Sequence, residues 1–267
     1  MAEVRLAVVD RIATITIDQA DRRNAMTLPM WRQLREAIDR IADDSEARVL
    51  ILRGAGDHFC AGMDVTGGNA QAHPMDRLAV TSRAILNLHN LRIPTIARLD
   101  GSAVGAGANL ALGCDLVVAS DRARLSQIFV HRGLSVDCGG SWLLPRLVGL
   151  HKARELCFLG EMVEATDGLA MGLYTRVVAA DALDAEVQSL AERMAALPPV
   201  ALQQSKRLLN EGATSSFELA MESEMRAQSM NLQGADSAEA FAAFLEKRPA
   251  TYTGGGYRVP PPLKEHS

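Results

Sequence analysis

The segment from residue 93 to residue 115 most constrains the fold of this chain. Residues 94–99 form an apolar run that indicates a buried strand, residues 100–107 contain three glycines, and residues 109–112 resume with helical spacing. A strand that leads through glycines into a helix leaves backbone N–H groups without partners at the start of that helix. Such donors can hold a negatively charged oxygen. The segment therefore predicts an α/β fold with an anion-binding turn at the end of a strand.

A second turn of small residues, 60–63, lies earlier in the chain, after the apolar run 49–52. Small residues also serve tight packing of a strand against a helix, and either turn alone favours that simpler interpretation because lone glycine motifs are weak signals. Two such turns in this order favour a pair of converging backbone donors.

Strands and helices alternate through the first two thirds of the chain. Residues 4–10 and 12–18 indicate a hairpin, residues 27–43 and 75–91 indicate helices, and residues 48–53, 95–99 and 116–119 indicate strands. Thr27 suits the N-cap of its helix. Such alternation is typical of right-handed crossovers and a largely parallel sheet.

The last third is predicted to be helical. Helical spacing covers residues 182–197, 200–210, 217–230 and 236–247, and no strand pattern separates them. We therefore predict a core at residues 1–195, a helical region at residues 196–252, and an extended tail at residues 253–267 that is rich in glycine and proline.

Composition excludes several classes of protein. The net charge is −4, and no long basic run is present, so nucleic acid is not an expected partner. No apolar stretch is long enough to span a membrane. The four cysteines form no Cys-x-x-Cys pattern and the six histidines no His-x-x-x-His pattern. We therefore expect a cytoplasmic protein in a reducing environment, without a metal.

Asp137 is the best candidate for a catalytic acid or base. Its neighbours in the sequence are small or apolar, which indicates partial burial and hence a raised pKa. Asp137 is an equally good candidate for the N-cap of the following helix, where its pKa would be lowered. Asn109 falls within a predicted helix, where asparagine is unfavourable. The residues alone leave a functional role and a packing hydrogen bond equally open for Asn109.

Several motifs together resemble the crotonase superfamily, the enoyl-CoA hydratase/isomerase family, over about residues 3–253. The motifs are residues 22–26, 59–64, 94–107 with Cys114-Asp115, 139–140, 144–149 and 242–248. The resemblance implies an α/β crotonase-like (ClpP/crotonase) fold, a spiral of ββα units with a helical C-terminal region. It also implies that this region joins subunits into a homotrimer, or into a homohexamer of paired trimers.

The resemblance also assigns roles to residues. The N–H groups of Met63 and Ala106 would form an oxyanion hole, and coenzyme A would enter only as part of the thioester substrate. No other cofactor is expected. The residues expected to contact coenzyme A are Arg22, Arg23, Ala25, Ala61, Gly62, Met63, Asp64 and Tyr252.

Departures from the family pattern decide the expected reaction. Hydratases of the family use two glutamates, and Asn109 and Phe129 stand at those positions, so a two-glutamate hydration is not available. Asp137 matches the catalytic aspartate of family isomerases, most closely the phenylacetate-pathway branch. Gly107, Asn109 and Phe129 are expected to line the substrate pocket. We predict an enoyl-CoA isomerase; the alternatives are a hydratase with altered catalytic residues and an inactive acyl-CoA-binding protein.

Overall fold

Among the residues that the structure describes, nine strands form two sheets, all in the first part of the chain. In chain order they are β1 Glu3–Val9, β2 Ile12–Asp18, β3 Val49–Gly54, β4 Thr95–Leu99, β5 Ser102–Val104, β6 Leu116–Ser120, β7 Arg124–Ser126, β8 Val163–Glu164 and β9 Arg176–Val178. The larger sheet has the order β1-β2-β3-β4-β6-β9 and is parallel except for the β1–β2 pair. The computed structural model describes residues 2–43, 46–66 and 73–255.

The predicted N-terminal hairpin is confirmed. Val9 pairs with Ile12, and the two residues between them, Asp10 and Arg11, have φ values of 48° and 67°. Positive φ at both central residues is the geometry that matches the twist of an antiparallel pair. The hairpin forms one edge of the larger sheet.

Nine α-helices are present among the described residues. They are α1 Leu28–Asp43, α2 Pro74–His89, α3 Ala106–Leu112, α4 Gly140–Leu159, α5 Ala165–Met171, α6 Leu183–Ala195, α7 Pro199–Gly212, α8 Phe217–Gln233 and α9 Ala235–Glu246. The Thr27 hydroxyl accepts from the Met30 N–H at 3.4 Å, so the predicted cap of α1 is confirmed. Gly149 interrupts α4 with a φ of 75° and a ψ of 160°. Helix α3 is buried along its whole length, which explains its small residues.

The second sheet was not expected from the sequence. It has the order β5-β7-β8, and its strands are only two or three residues long, too short for an alternating pattern to show. An isolated parallel bridge joins Cys60 to Ala103 of β5. The small sheet therefore includes part of the glycine-rich segment 100–107 and joins it to the turn of residues 60–63.

The chain divides into two compact units, Met1–Glu192 and Arg193–Ser267, and the division falls within α6. In the second unit, α8 packs against α7 and α9. The Gly254 N–H donates to the Asp236 carboxylate at 3.0 Å, which ties residue 254 to the start of α9. The rest of the predicted tail, residues 256–267, lies outside the described residues, as do residues 67–72 of the loop before α2.

No helix among the described residues is long and apolar enough to cross a membrane. Most of the buried apolar side chains of the first unit, from both sheets and from α1 to α5, form one continuous core. The carboxyl ends of β3 and β4 are therefore fixed on a rigid base, and the segments that follow them carry the candidate site.

Candidate active site

Two turns bring the backbone of Gly62, the residue before Met63, close to that of Ala106. The first donor turn, residues 60–63, lies between β3 and α2, and the second donor turn, residues 104–107, joins β5 to α3. Gly62 has a φ of 90°, and a methyl group built on it would lie only 2.7 Å from the Val104 carbonyl oxygen and 3.5 Å from the Ala106 nitrogen. Glycine permits this approach, and the peptide group after Gly62 carries the Met63 N–H.

The N–H groups of Met63 and Ala106 have no hydrogen-bond acceptor among the residues that the structure describes. Ala106 is the first residue of α3, where a helix offers no acceptor for the N–H. The neighbouring N–H groups of Gly62 and Asp64 are occupied, by the Cys60 sulfur at 3.4 Å and the Met26 carbonyl at 2.9 Å. Two adjacent donors are thus available for an anionic oxygen.

Gly107 fixes the separation of the two donor turns. A methyl group built on it would lie 2.2 Å from the Cys60 carbonyl oxygen, which also accepts from the Val104 N–H at 3.0 Å. Any side chain at residue 107 would push α3 away from the first donor turn. Gly107 is buried, and its contribution to the site is this close approach of two backbones.

The two segments expected to contact coenzyme A in the first unit, residues 22–25 and 61–64, are hydrogen-bonded side by side. The Ala61 N–H donates to the Arg23 carbonyl at 2.9 Å, and the Met26 N–H donates to the Gly62 carbonyl at 2.7 Å. Ala25 lies between them in the chain. These bonds place the loop of residues 22–26 beside the first donor turn, as the sequence motif implied.

Asn24 holds that loop in place, and sequence reasoning missed it. Its side chain is fully buried and donates to the carbonyls of Ala55 at 2.8 Å and His58 at 2.7 Å, while its oxygen accepts from the Gln19 N–H at 2.9 Å. Arg23 and Asn24 both have positive φ, 53° and 57°. An asparagine directly after two arginines in a predicted loop is the signal that could have identified this clamp, since asparagine tolerates such geometry.

A polar cavity of about 640 Å³ opens beside this loop. The nearly buried Asp64 carboxylate lies at its edge and accepts from the Thr66 hydroxyl at 2.6 Å and from the Arg22 guanidinium at 3.3 Å. The Thr66 hydroxyl and N–H, with Gln19 and Arg22, hold the pKa of the Asp64 carboxyl below its ordinary value. Half of the Arg22 side chain remains exposed, so its charge is accessible to an anionic group.

The aspartate turn, residues 137–140, presents a carboxyl group that does not cap a helix. Gly139 is the N-cap of α4, and no side chain bonds the first turn of that helix. The capping interpretation of Asp137 is therefore wrong. The Asp137 side chain is half-buried, and its Oδ1 atom is buried without a hydrogen-bond partner. Burial raises the pKa of the Asp137 carboxyl, and a hydrogen bond from the Cys138 thiol opposes this in part.

Asn109 connects the aspartate turn to the second donor turn. Its Nδ2 donates to the Asp137 carbonyl at 2.8 Å, and its Oδ1 accepts from the Gln127 side chain at 2.9 Å. Asn109 lies three residues beyond Ala106 on α3, a rise of about 4.5 Å. The aspartate turn is therefore bonded to the residue that lies about one helical turn beyond Ala106 on α3. Gln127 was not identified from the sequence, where a lone glutamine before an apolar run carries no signal.

The three residues expected to line the pocket differ in their surroundings. Phe129 is buried, and its ring lies 3.6 Å from where a side chain on Gly105 would begin, so it contacts the residue that precedes Ala106. Gly107 packs on the first donor turn. Asn109 has no accessible surface, and both ends of its amide are bonded. Phe129 thus makes the second donor turn apolar on one side.

Tyr252 lies in the second unit, after α9, and is half-buried there. Among the described residues, no group of three or more histidine, cysteine, aspartate or glutamate side chains could hold a metal ion.

The first unit thus combines a pair of backbone donors, one carboxyl group with raised pKa and the polar cavity beside residues 22–26. This arrangement can stabilise an enolate while one proton moves.

Comparison with known proteins agrees with this geometry. The family model for enoyl-CoA hydratase/isomerase matches residues 8–255. The chain therefore belongs to the enoyl-CoA hydratase/isomerase family, has the crotonase fold, and is an enzyme of a family that acts on acyl-CoA.

Individual relatives carry both kinds of name. The chain is 34% identical over 261 residues to 1,2-epoxyphenylacetyl-CoA isomerase of Escherichia coli K12, covering 95% of this chain and all of the relative. It is 31% identical to the short-chain-enoyl-CoA hydratase of Clostridium acetobutylicum, covering 89% and 92%. The crystal structure of an enoyl-CoA hydratase from Bacillus anthracis superposes with a TM-score of 0.90 at 26% identity, covering 94% and 99%.

Proposed function

We propose that this enzyme is an enoyl-CoA isomerase that shifts a double bond in an acyl-CoA thioester. The observation that supports this most is the buried Oδ1 of Asp137, which has no hydrogen-bond partner among the described residues and belongs to a turn bonded to Asn109, one turn of α3 beyond the free Ala106 N–H. Asn109 and Phe129 stand where the resemblance would place a second and third proton-transfer group, and neither side chain transfers a proton. One carboxylate with one oxyanion hole suits a 1,3-proton shift.

The reaction proceeds through a dienolate. The thioester oxygen of a 3-enoyl-CoA accepts from the N–H groups of Met63 and Ala106, and the Asp137 carboxylate removes a proton from the α-carbon. The electron pair of that C–H bond moves into the chain, and negative charge develops on the thioester oxygen, where the two donors stabilise it. Asp137 then returns its proton to the γ-carbon. A new double bond joins the α- and β-carbons, and no oxidant or reductant is required.

Phe129 disfavours the competing addition of water. Hydration requires a water molecule held at the β-carbon, and two acid/base groups position it most readily. The buried Phe129 ring packs beside Gly105 at the second donor turn and excludes water from that side. We therefore expect 2-enoyl-CoA to accumulate as product.

Coenzyme A enters as the carrier of the acyl chain, and no other cofactor is needed. Met63 and Ala106 polarise the carbonyl by their backbone, so a Lewis acid has no role in the proposed step. Arg22 and Arg23, with Ala25 and residues 61–64, form the surface proposed for coenzyme A in the first unit, and Tyr252 is proposed to contact it. Activity that survives dialysis against a chelator and gel filtration would support this, while activity restored only by a divalent cation would contradict it.

The acyl chain is proposed to be ring-derived. The relative from Escherichia coli is named for 1,2-epoxyphenylacetyl-CoA, a ring-derived thioester, and is 34% identical to this chain over nearly its full length. A thioester with an unsaturated ring in its acyl group is therefore the first substrate to compare with linear 3-enoyl-CoA.

A substrate panel in deuterium oxide tests the proposal. The enzyme is incubated with 3-enoyl-, 2-enoyl- and ring-derived CoA thioesters, and products are identified by mass spectrometry and NMR. We expect 3-enoyl-CoA to give 2-enoyl-CoA with deuterium at the γ-carbon. The incorporation should be below one deuterium atom per molecule if Asp137 returns the abstracted proton before it exchanges with solvent. Rapid formation of 3-hydroxyacyl-CoA from 2-enoyl-CoA would favour a hydratase, and binding without any turnover would favour an inactive acyl-CoA-binding protein.

We also propose that the chain assembles as a homotrimer or a homohexamer in a reducing cytoplasm. Helices α8 and α9 expose many large apolar side chains, more than a solvated helical region requires. These are Phe217, Leu219, Met221, Met225, Met230, Leu232, Phe241, Phe244 and Leu245. Light scattering at micromolar concentration should give three or six times the mass of one chain, and a monomer would refute the assembly.

A further inference from the structure

The side chains of Gln127 and Asn109 form a series of hydrogen bonds that ends at the backbone carbonyl of Asp137, the proposed base. The Gln127 Nε2 donates to the Asn109 Oδ1 at 2.9 Å, and the Asn109 Nδ2 donates to the Asp137 carbonyl at 2.8 Å. We propose that Asn109, oriented by Gln127, is the positioning residue that fixes the aspartate turn and with it the Asp137 carboxyl. The inference rests on the proposed function of Asp137 as the acid/base.

The direction of this series is dictated by its last member. A backbone carbonyl only accepts, so Asn109 must turn its amino group toward Asp137. The Asn109 oxygen then faces Gln127 and requires a donor, which fixes the Gln127 amino group in turn. A carboxylate at either residue would remove a donor that the series needs. Residue 109 can therefore present an acid or hold Asp137, and it cannot do both.

The surroundings leave Asn109 no room to turn away. Asn109 has no accessible surface and Gln127 is 1% exposed. A methyl group built on Gly140 would lie 2.5 Å from the Asn109 Nδ2 and 2.6 Å from a methyl carbon of Val136. The glycine at residue 140 is thus required by the close approach of the amide, and interiors packed this tightly transmit small displacements.

The aspartate turn needs an external hold because its backbone is strained. Cys138 and Gly139 have φ values of 52° and 82°, and the Gly140 N–H donates to the Asp137 carbonyl at 3.0 Å. Positive φ at both central residues is the type I′ arrangement, which favours Asn-Gly and is unfavourable for a cysteine. The Asp137 carbonyl accepts both the bond that closes the turn and the bond from Asn109, so the amide stabilises this strained turn directly.

Conservative variants test the positioning role. Asn109→Asp keeps the shape of the side chain and removes the donor, and Gly140→Ala displaces the donor while leaving the amide in the chain. We expect kcat for 3-enoyl-CoA isomerisation to fall about 10- to 100-fold in each variant, because a displacement of about 1 Å at a reacting group has an effect of this size. KM should stay within about threefold, since Asn109 has no accessible surface and both ends of its amide are bonded within the protein.

A second readout does not depend on turnover. Amide hydrogen exchange at Gly140, measured by NMR, should accelerate at least about tenfold in Asn109→Asp because its N–H closes the aspartate turn. Thr95→Val is the matched control, since it removes a buried hydroxyl bonded to Asp115 at the start of β4, before the strand reaches the site. It should lower the unfolding temperature and leave both kcat and Gly140 exchange unchanged.

The outcomes separate this inference from the proposed function. Wild-type kcat in Asn109→Asp, or a loss of kcat with unchanged Gly140 exchange, would overturn the positioning role. If Asn109→Asp does not fold, Gln127→Met is the second test, because it removes the donor that orients Asn109 and leaves Asn109 in place. The kcat of Gln127→Met should fall about 3- to 10-fold. An unchanged kcat in that variant would overturn the positioning role. If the wild-type enzyme isomerises nothing, the proposed function fails and Gly140 exchange alone decides whether Asn109 holds the turn.

Discussion

The donor turns and the aspartate turn are held by different kinds of bond. Backbone contacts fix the donor turns: Val104 bonds Cys60, a bridge joins Cys60 to Ala103, and Gly107 lies directly on Cys60. The aspartate turn instead accepts a hydrogen bond from a side chain of another segment, the Asn109 amide. A backbone-held turn depends on the volume of its glycines and tolerates changes at other side chains. A turn held by a side chain depends on the chemical identity of one residue.

The largest effect is expected from removing the carboxyl group itself. Asp137→Asn should lower kcat by about 10²–10⁴-fold, the usual contribution of a general acid/base. The affinity for the CoA thioester should be retained, because the substitution changes neither the donor turns nor the polar cavity. Isothermal titration with a non-reactive acyl-CoA and a kcat measurement on the same preparation check both points. Turnover near that of the wild type would show that Asp137 is not the base.

Gly107→Ala should damage the donor turns. Its added methyl group would meet the Cys60 carbonyl at 2.2 Å, so α3 must move away from the first donor turn and separate the two N–H groups. We expect kcat to fall about 10²–10³-fold, similar to the loss of one oxyanion donor, and stability to fall by about 1–3 kcal/mol through overpacking.

Gly212→Ala is the control for Gly107→Ala. Gly212 ends α7, and a methyl group built on it meets nothing within 4 Å. It should leave kcat unchanged and alter stability by less than about 1 kcal/mol. Equal losses in the two variants would mean that the close approach at Gly107 is not what maintains activity.

A pH-dependent difference in stability distinguishes a buried, unpaired carboxylate from a paired one. Burial raises the pKa of Asp137 above its unfolded value. Its contribution to stability is therefore fully present below the unfolded pKa, about 3.9, and is lost as the pH rises through the folded pKa. Asp137→Asn should thus unfold at a higher temperature than the wild type at pH 7, with the difference shrinking toward pH 4. A wild type that is more stable at pH 7 would indicate a paired carboxylate.

The smallest effect is expected at Met63. Its proposed contribution is a backbone N–H, so Met63→Leu, which nearly conserves volume, should change kcat less than about threefold. A loss of 100-fold or more, measured at saturating substrate, would show that the side chain at residue 63 takes part in the reaction and that the comparison between the two kinds of turn is wrong.

Sequence reasoning reached the parts of the molecule that local patterns determine. The hairpin at Asp10 and Arg11, the Thr27 cap and the parallel strands 95–99 and 116–119 follow from turn chemistry, capping and apolar runs, and the structure confirms them. The two donor turns were visible because glycines mark close backbone approach.

The remaining parts depend on contacts between segments far apart in the chain. Gln127 reaches Asn109 across 18 residues, and Asn109 reaches Asp137 across 28. Nothing in a single sequence distinguishes such an amide from a surface glutamine or a packing asparagine. The sequence also left capping and catalysis equally open for Asp137. Only the structure shows that Gly139, and not Asp137, is the N-cap of α4.

The burial that surrounds the candidate site has a consequence for the protein's own thiols. Cys60 belongs to the first donor turn and Cys138 to the aspartate turn; burial raises the pKa of Cys60 to about 12 and raises that of Cys138 and of Cys157 as well. A thiol attacks a thioester only as the thiolate. Under the proposed function the thioester lies between the two turns that carry Cys60 and Cys138, and the raised pKa of both thiols disfavours transfer of the acyl group to the chain itself.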